Sequence, residues 1–188
     1  MSTITPDSAE PVSSGEIQIA GPERALDVER KHRAVAEFLR LHQYDALLLQ
    51  LPGNFAWFTS GGDCARSGTL DSTAALFITD EARVAVCSNV DSPQIFDKEI
   101  AGLGFQLKER PWQEPRHLLI EDLCRGRTIA GDSTFRGTHD VTAYLTGFRI
   151  PLAAVECERM RALGRTVAHA VEATARHFTL AQVRQLLT

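Results

Sequence analysis

The residues of this 188-residue chain that are able to do chemistry are scattered along it. Its four cysteines, Cys64, Cys87, Cys124 and Cys157, form no Cys-x-x-Cys pair, so their spacing supports neither a disulfide framework nor a zinc site. Cys87 and Cys124 sit in apolar stretches and read as buried thiols behaving as small hydrophobes. A hydrolase using either as nucleophile is the weakest of the functional readings. His169 and His177 fall on one face of a helical stretch, but metal ligands one turn apart are the persuasive spacing, so packed or solvated histidines are preferred. Asp132 follows an apolar strand, where a carboxylate serves catalysis or caps a turn; the cap is preferred. Asp63, Asp71 and Asp91 are loop carboxylates with no neighbouring His or Cys in sequence. No Gly-x-x-x-x-Gly-Lys phosphate loop, His-Glu-x-x-His helix or Gly-x-Ser-x-Gly elbow occurs, and Gly102 and Gly104 lack the third glycine of a dinucleotide turn.

Composition narrows the classes further. Hydrophobic residues make up 44% and charged residues 23%, the balance of a globular domain. The net charge of -4 is spread along the chain, with no basic stripe for nucleic acid. No apolar run approaches the ~20 residues of a membrane span, and no signal-peptide pattern opens the chain. The expectation is a cytoplasmic protein whose partners include neither nucleic acid nor membrane.

The elements that must position these residues follow from periodicity. Residues 1–21 are rich in Ser, Pro, Glu and Thr and predict a disordered tail. Val28, Val35, Phe38 and Leu39 recur at helical spacing, giving a helix from Pro22 to His42, with Glu29, Lys31, Arg33 and Glu37 on its other faces. The run Asp45 to Leu49 predicts a strand buried on both sides. Thr73 to Thr79 and Arg83 to Ser88 predict a hairpin. Ser92 as N-cap with Pro93 opens a helix closing near Gly102. A strand over Gly104 to Glu109, a helix over Pro115 to Arg125 and a strand over Arg127 to Gly131 come next. A short helix through Val141 and Leu145 stops at Gly147, and Phe148 to Leu152 reads as a last edge strand. Met160, Leu163, Val167 and Val171 then mark one stripe of a long amphipathic helix. A second helix starts at Thr179, its face of Val183, Leu186 and Leu187 in want of a partner. The fold class is α/β, a mixed β-sheet flanked by helices.

One segment is more specific. Leu47-Leu48-Leu49-Gln50-Leu51-Pro52-Gly53-Asn54-Phe55-Ala56-Trp57-Phe58-Thr59-Ser60-Gly61 resembles the strand, small turn, Asn, aromatic, Thr-x-Gly element of a known N-terminal domain. That domain belongs to the creatinase, prolidase and aminopeptidase P family. Arg149-Ile150-Pro151-Leu152, followed by Glu156, Arg159, Met160, Arg161 and Gly164, is similar to the junction leading into that family's catalytic domain. The resemblance covers Pro22 to His177. It implies an N-terminal-like α/β domain over residues 22–152 and junction helices over 153–188.

The resemblance also implies where chemistry is to be sought. The family's C-terminal "pita-bread" domain holds two divalent metal ions with two Asp, one His and two Glu, which activate water and polarise the scissile carbonyl. No residue of this chain matches one of those ligands, so no catalytic residue, metal ligand or cofactor is assigned to it. Its expected partners are an absent catalytic domain, a second copy of itself, or both. The N-terminal domain of the family supports oligomer contacts and helps wall the active-site cleft. The residues matching that role are Asn54, Trp57 and Arg66, with Gly61 and Gly62 beside them. Each has a plainer reading: Asn54 satisfies backbone groups in a turn, Trp57 packs in the core, and Arg66 is solvated. A stand-alone binding or dimerisation protein using the apolar C-terminal helices is the alternative function.

Overall fold

The computed structural model describes residues 21–65 and 71–177. Residues 1–20 of the tail expected over 1–21, the candidate Arg66 and the second C-terminal helix from Thr179 lie outside the described residues, while Gly21 is the N-cap of the first helix.

The first helix, α1, is Pro22–His42, with Pro in its first turn. Its buried stripe includes Val28, Val35, Phe38 and Leu39, joined by the polar residues Asp27, Lys31 and His32. Lys31 thus belongs to the buried face, which corrects its placement by pattern on a polar one. Strand β1, Ala46–Leu49, is buried at every position. A short helix α2, Pro52–Phe58, follows. Strands β2, Ala74–Ile78, and β3, Arg83–Ser88, pair antiparallel through all five residues of β2.

After β3 the chain forms a single helical turn, α3, Ser92–Gln94, which widens into a π turn over Ile95–Glu99. Asp91, not Ser92, occupies the N-cap position. The physical cause lies in the preceding turn. Asp91 N donates to Ser88 O at 3.1 Å and Ser88 Oγ donates to the Asp91 carboxylate at 2.7 Å, which starts the helix one residue early. Strand β4, Gln106–Arg110, helix α4, Arg116–Cys124, and strand β5, Ile129–Gly131, complete the central pattern.

The expected edge strand over Phe148 to Leu152 does not form. Helix α5, Thr142–Arg149, continues through Gly147, and the edge strand is β6, Thr138–Asp140. Phe148 explains the difference. From the helix its ring meets Phe38 at 5.8 Å and Trp57 at 6.1 Å, contacts that outweigh the roughly 1 kcal/mol a helical glycine costs. The last described element is α6, Ala154–His177.

The six strands lie in the order β4-β3-β2-β1-β5-β6. β1 pairs antiparallel with β2 and parallel with β5, while β3 pairs parallel with β4 and β5 with β6. This is a mixed sheet with helices on both faces. Alternate side chains divide the core, because successive strand residues point to opposite faces. Leu47, Leu49, Leu76 and Ile78 pack with Phe38, Phe55 and Phe58 from α1 and α2. Ala46, Leu48, Phe77, Val84 and Val86 pack against Leu119 and Ile120 of α4. Among the described residues no helix is long and apolar enough to cross a membrane.

Phe77, 1% exposed, is the largest side chain under α4 and also lies 5.5 Å from the Arg127 guanidinium. Phe77→Ala should lower unfolding free energy by about 3–5 kcal/mol in urea titration. A loss below about 1 kcal/mol would contradict this packing.

Candidate functional site

Two hydrogen-bond networks converge on the ends of α2. At its start, Asp132, 3% exposed at the end of β5, accepts from Gln50 N at 2.8 Å and Leu51 N at 3.0 Å. It also accepts from Asn54 Nδ2 at 3.0 Å. The carboxylate thereby satisfies backbone donors at the entry to a helix that has no side-chain cap of its own. Asn54 Oδ1 in turn accepts from Arg149 Nη1 at 3.1 Å, at the last turn of α5. The position needs one donor and one acceptor, which an amide supplies and a carboxylate does not.

At the far end of α2, Thr59 Oγ1 donates to Phe55 O at 2.8 Å and accepts from Gly62 N at 3.0 Å. Gly62 has no room for a side chain, since a Cβ there would lie 2.7 Å from Thr59 Oγ1. Ser60 and Gly61 take φ values of 55° and 103°, and the Ser60 carbonyl accepts from Arg159 Nη1 at 2.7 Å. This is the structural content of the Thr-x-Gly-Gly pattern.

Lys31 joins α2 to α6. Its ammonium, with the side chain 3% exposed, donates to Trp57 O at 2.7 Å and pairs with Asp27 at 2.6 Å and Glu156 at 2.8 Å. Two of its donors are hydrogen-bonded, to Trp57 O and Glu156 Oε1, while Asp27 Oδ2 opposes the charge as an ion pair and has no hydrogen bond of its own. Trp57, partly buried, stacks on Phe148 and lies with its ring centroid 5.7 Å from the same ammonium. The other Glu156 oxygen accepts from Ala153 N at 2.7 Å, closing the N-terminus of α6. Burial alone would raise the Asp27 carboxyl, but Lys31 and Arg30 outweigh it and hold the group below its ordinary 3.8. Stability from Asp27 is therefore complete above that value and is lost as pH falls through the lower folded one.

Beyond Arg159 the helix stands clear of the domain. Met160, Leu163, Val167 and Val171 are 61%, 64%, 52% and 62% exposed, a continuous apolar stripe facing solvent. Stripes of this kind mark interaction surfaces.

The remaining candidates disperse. His169 is exposed on α6. The Asp63 carboxylate accepts from Ala65 N at 2.8 Å and lines, with Asp91 and Glu99, a cavity of about 280 Å³. Among the described residues no group of three or more His, Cys, Asp or Glu is placed to hold a metal ion. Burial raises the Cys64 and Cys124 thiols and pushes Cys87 up to about 12. Thiols so raised stay protonated near neutrality and are poor nucleophiles. Sequence reasoning singled out Asn54 and Trp57 but missed their partners Arg149 and Lys31, and the pairing of Lys31 with Asp27. The i, i+4 spacing of Asp27 and Lys31 was the available signal.

The prolidase from Pyrococcus horikoshii OT3 superposes with a TM-score of 0.58 at 13% identity, over 80% of this chain and 43% of that one. The dipeptidase PepE from Mycobacterium ulcerans gives 0.56 at 12% identity, over 71% of this chain and 39% of that one. The fold is prolidase-like. The chain thus spans 43% and 39% of the lengths of these two neighbours, under half of each. An Xaa-Pro aminopeptidase from Streptococcus thermophilus gives 0.39, too low to compare folds. No family model and no curated protein matches the sequence.

Lys31→Met leaves buried Asp27 with Arg30 alone and partly buried Glu156 without a cation, and should cost about 2–4 kcal/mol in urea titration. The triple variant Asp27→Leu, Lys31→Met, Glu156→Leu should recover most of that loss. An unchanged midpoint for Lys31→Met would refute the pairing. Native labelling with a disulfide reagent at pH 8 should spare Cys64 and Cys87 until unfolding, and rapid reaction at either would contradict their burial.

Proposed function

We propose that this chain is the non-catalytic domain of a metal-dependent Xaa-Pro peptidase or creatinase-like hydrolase, presenting α6 to a catalytic unit. The observation that carries this reading is α6 itself. Its first turns are fixed to the domain by Lys31, Glu156 and Arg159, while its stripe from Met160 to Val171 lies bare. The fold shared with prolidase and dipeptidase PepE, over 43% and 39% of their lengths, gives the class of partner. In this reading the catalytic unit brings both divalent metals and the hydrolytic chemistry. The α/β domain contributes oligomer contacts and walls the cleft, with Asn54 setting α2 and Trp57 the surface beside α6. The whole assembly works in the cytoplasm.

A second reading rests on the same stripe. Two copies of α6 burying Met160, Leu163, Val167 and Val171 against each other would form a homodimer without any catalytic unit. Sedimentation separates the two, because the dimer depends only on this chain's concentration.

The purified chain with Mn²⁺ is expected to show no turnover of an Xaa-Pro dipeptide and no stoichiometric metal uptake. The same domain joined to a catalytic segment is expected to show both. Turnover and stoichiometric metal in the chain alone would overturn the proposal. Leu163→Asp with Val167→Asp should leave the chain's melting temperature within about 2 °C, since both side chains are solvent-exposed. In the joined protein the same pair should reduce activity, and undiminished activity would count against α6 as the contact.

A further inference from the structure

The bare part of α6 carries its charges on one flank. At 3.6 residues per turn, Met160, Leu163, Val167 and Val171 form the exposed stripe, and Arg161, Arg165 and Glu172 run beside it on one side. The opposite flank is formed by Thr166, Ala170 and Ala173, all uncharged. Among the described residues this part of the helix has one ion pair, Arg176 with Glu172 Oε2 at 3.3 Å, which involves neither Arg161 nor Arg165. Both its side chains are well exposed, and such a pair is worth little.

A single stripe meets a copy of itself in one of two directions. In a parallel pair the two-fold axis runs along the helices, so the charged flank of one copy lies against the uncharged flank of the other. No opposite charges meet there. In an antiparallel pair the axis crosses the helices, and the charged flank lies against itself. The contact is then isologous, residue i meeting j and j meeting i.

The sequence of α6 fits the second direction. With the axis beside Val167, that residue meets its own copy, and Leu163, four positions before it, meets Val171, four positions after it. Arg161 lies six positions before the axis and Glu172 five after it, so at 1.5 Å per residue they come level to within about 2 Å across the pair. Arg165 approaches the same Glu172 from nearer the axis. The antiparallel direction also sets the two α/β bodies at opposite ends, their Cys157 residues about 30 Å apart along the pair. Only α6 need touch.

We propose that α6 pairs with α6 of a second copy in the antiparallel direction, with the two-fold axis beside Val167 and each end closed by Arg161 against Glu172. This rests on the second reading above and gives it a direction and a register. Four side chains per copy bury less than the roughly 1,600 Å² of a standard stable interface. The pair is therefore reversible and yields its face to a catalytic unit.

Sedimentation equilibrium of the purified chain tests both parts. The chain is expected to pass from monomer to dimer as its concentration rises. Arg161→Glu and Glu172→Arg each set like charges opposite one another at both ends, and each should weaken the dimer about tenfold at low salt. An equimolar mixture of the two variants should associate more tightly than either alone, because positions 161 and 172 then face opposite charges again. Both positions are exposed, so the melting temperatures of the dilute variants should stay within about 2 °C of the unaltered chain. A chain that stays monomeric at millimolar concentration, or that uses α6 only toward a catalytic segment, overturns the pairing and the second reading with it. A dimer that neither variant weakens, or a mixture no tighter than its components, overturns the direction and register and leaves the homodimer reading standing.

Discussion

The buried ammonium of Lys31 is the interaction on which the arrangement of this protein depends. A lysine charge withdrawn from water costs several kcal/mol unless opposite charges and acceptors compensate it. Here a backbone carbonyl of α2, a carboxylate of α1 and a carboxylate of α6 meet it together. The first two helices and the distant α6 are thereby held at one point. The direction in which α6 leaves the domain follows from that point, because Glu156 both receives Lys31 and closes the helix N-terminus.

The second network makes the first one rigid. Asp132 and Asn54 orient the start of α2, and Arg149 ties that start to the end of α5. The end of α2 supplies the Trp57 carbonyl to Lys31 of α1, and the turn after it supplies the Ser60 carbonyl to Arg159 of α6. A helix of only seven residues is therefore the shared plate between sheet and α6. Its sequence reads accordingly: Asn for its paired donor and acceptor, aromatics for both sides of the plate, and Ser-Gly to turn a carbonyl outward.

Much of the fold was legible because burial on both faces leaves a plain mark. Leu47 to Leu49 and Ala74 to Ile78 are apolar without interruption, as strands between two helical layers must be. Strand β6 carried no such mark, since Thr138, His139 and Asp140 lie at an edge with little burial. Gly147 suggested a helix end, and only the distant rings of Phe38 and Trp57 show why the helix passes through it. Of the site, Asn54 and Trp57 were legible from their local pattern. Their partners were not: Lys31 and Glu156 are separated by 125 positions, a pairing that no local periodicity encodes. Lys31 in particular followed the rule that charges face water, and the buried acceptors that override the rule become visible only in three dimensions.

The functional account rests on an asymmetry within one helix, tightly held at its start and bare beyond it. Prolidase and dipeptidase PepE share the domain's fold over less than half of their own lengths, which is why a catalytic unit is the proposed occupant of the bare face. Amide hydrogen exchange along α6 tests this most directly, since protection follows local packing and hydrogen bonding. In the chain alone and monomeric, residues 157–160, whose amides are bonded within the held first turns, should exchange more slowly than residues 163–176. With the catalytic unit present, residues 163–176 should become as slow as residues 157–160. Slow exchange along the whole of α6 in the monomeric chain, or no change on adding the catalytic unit, would contradict the account.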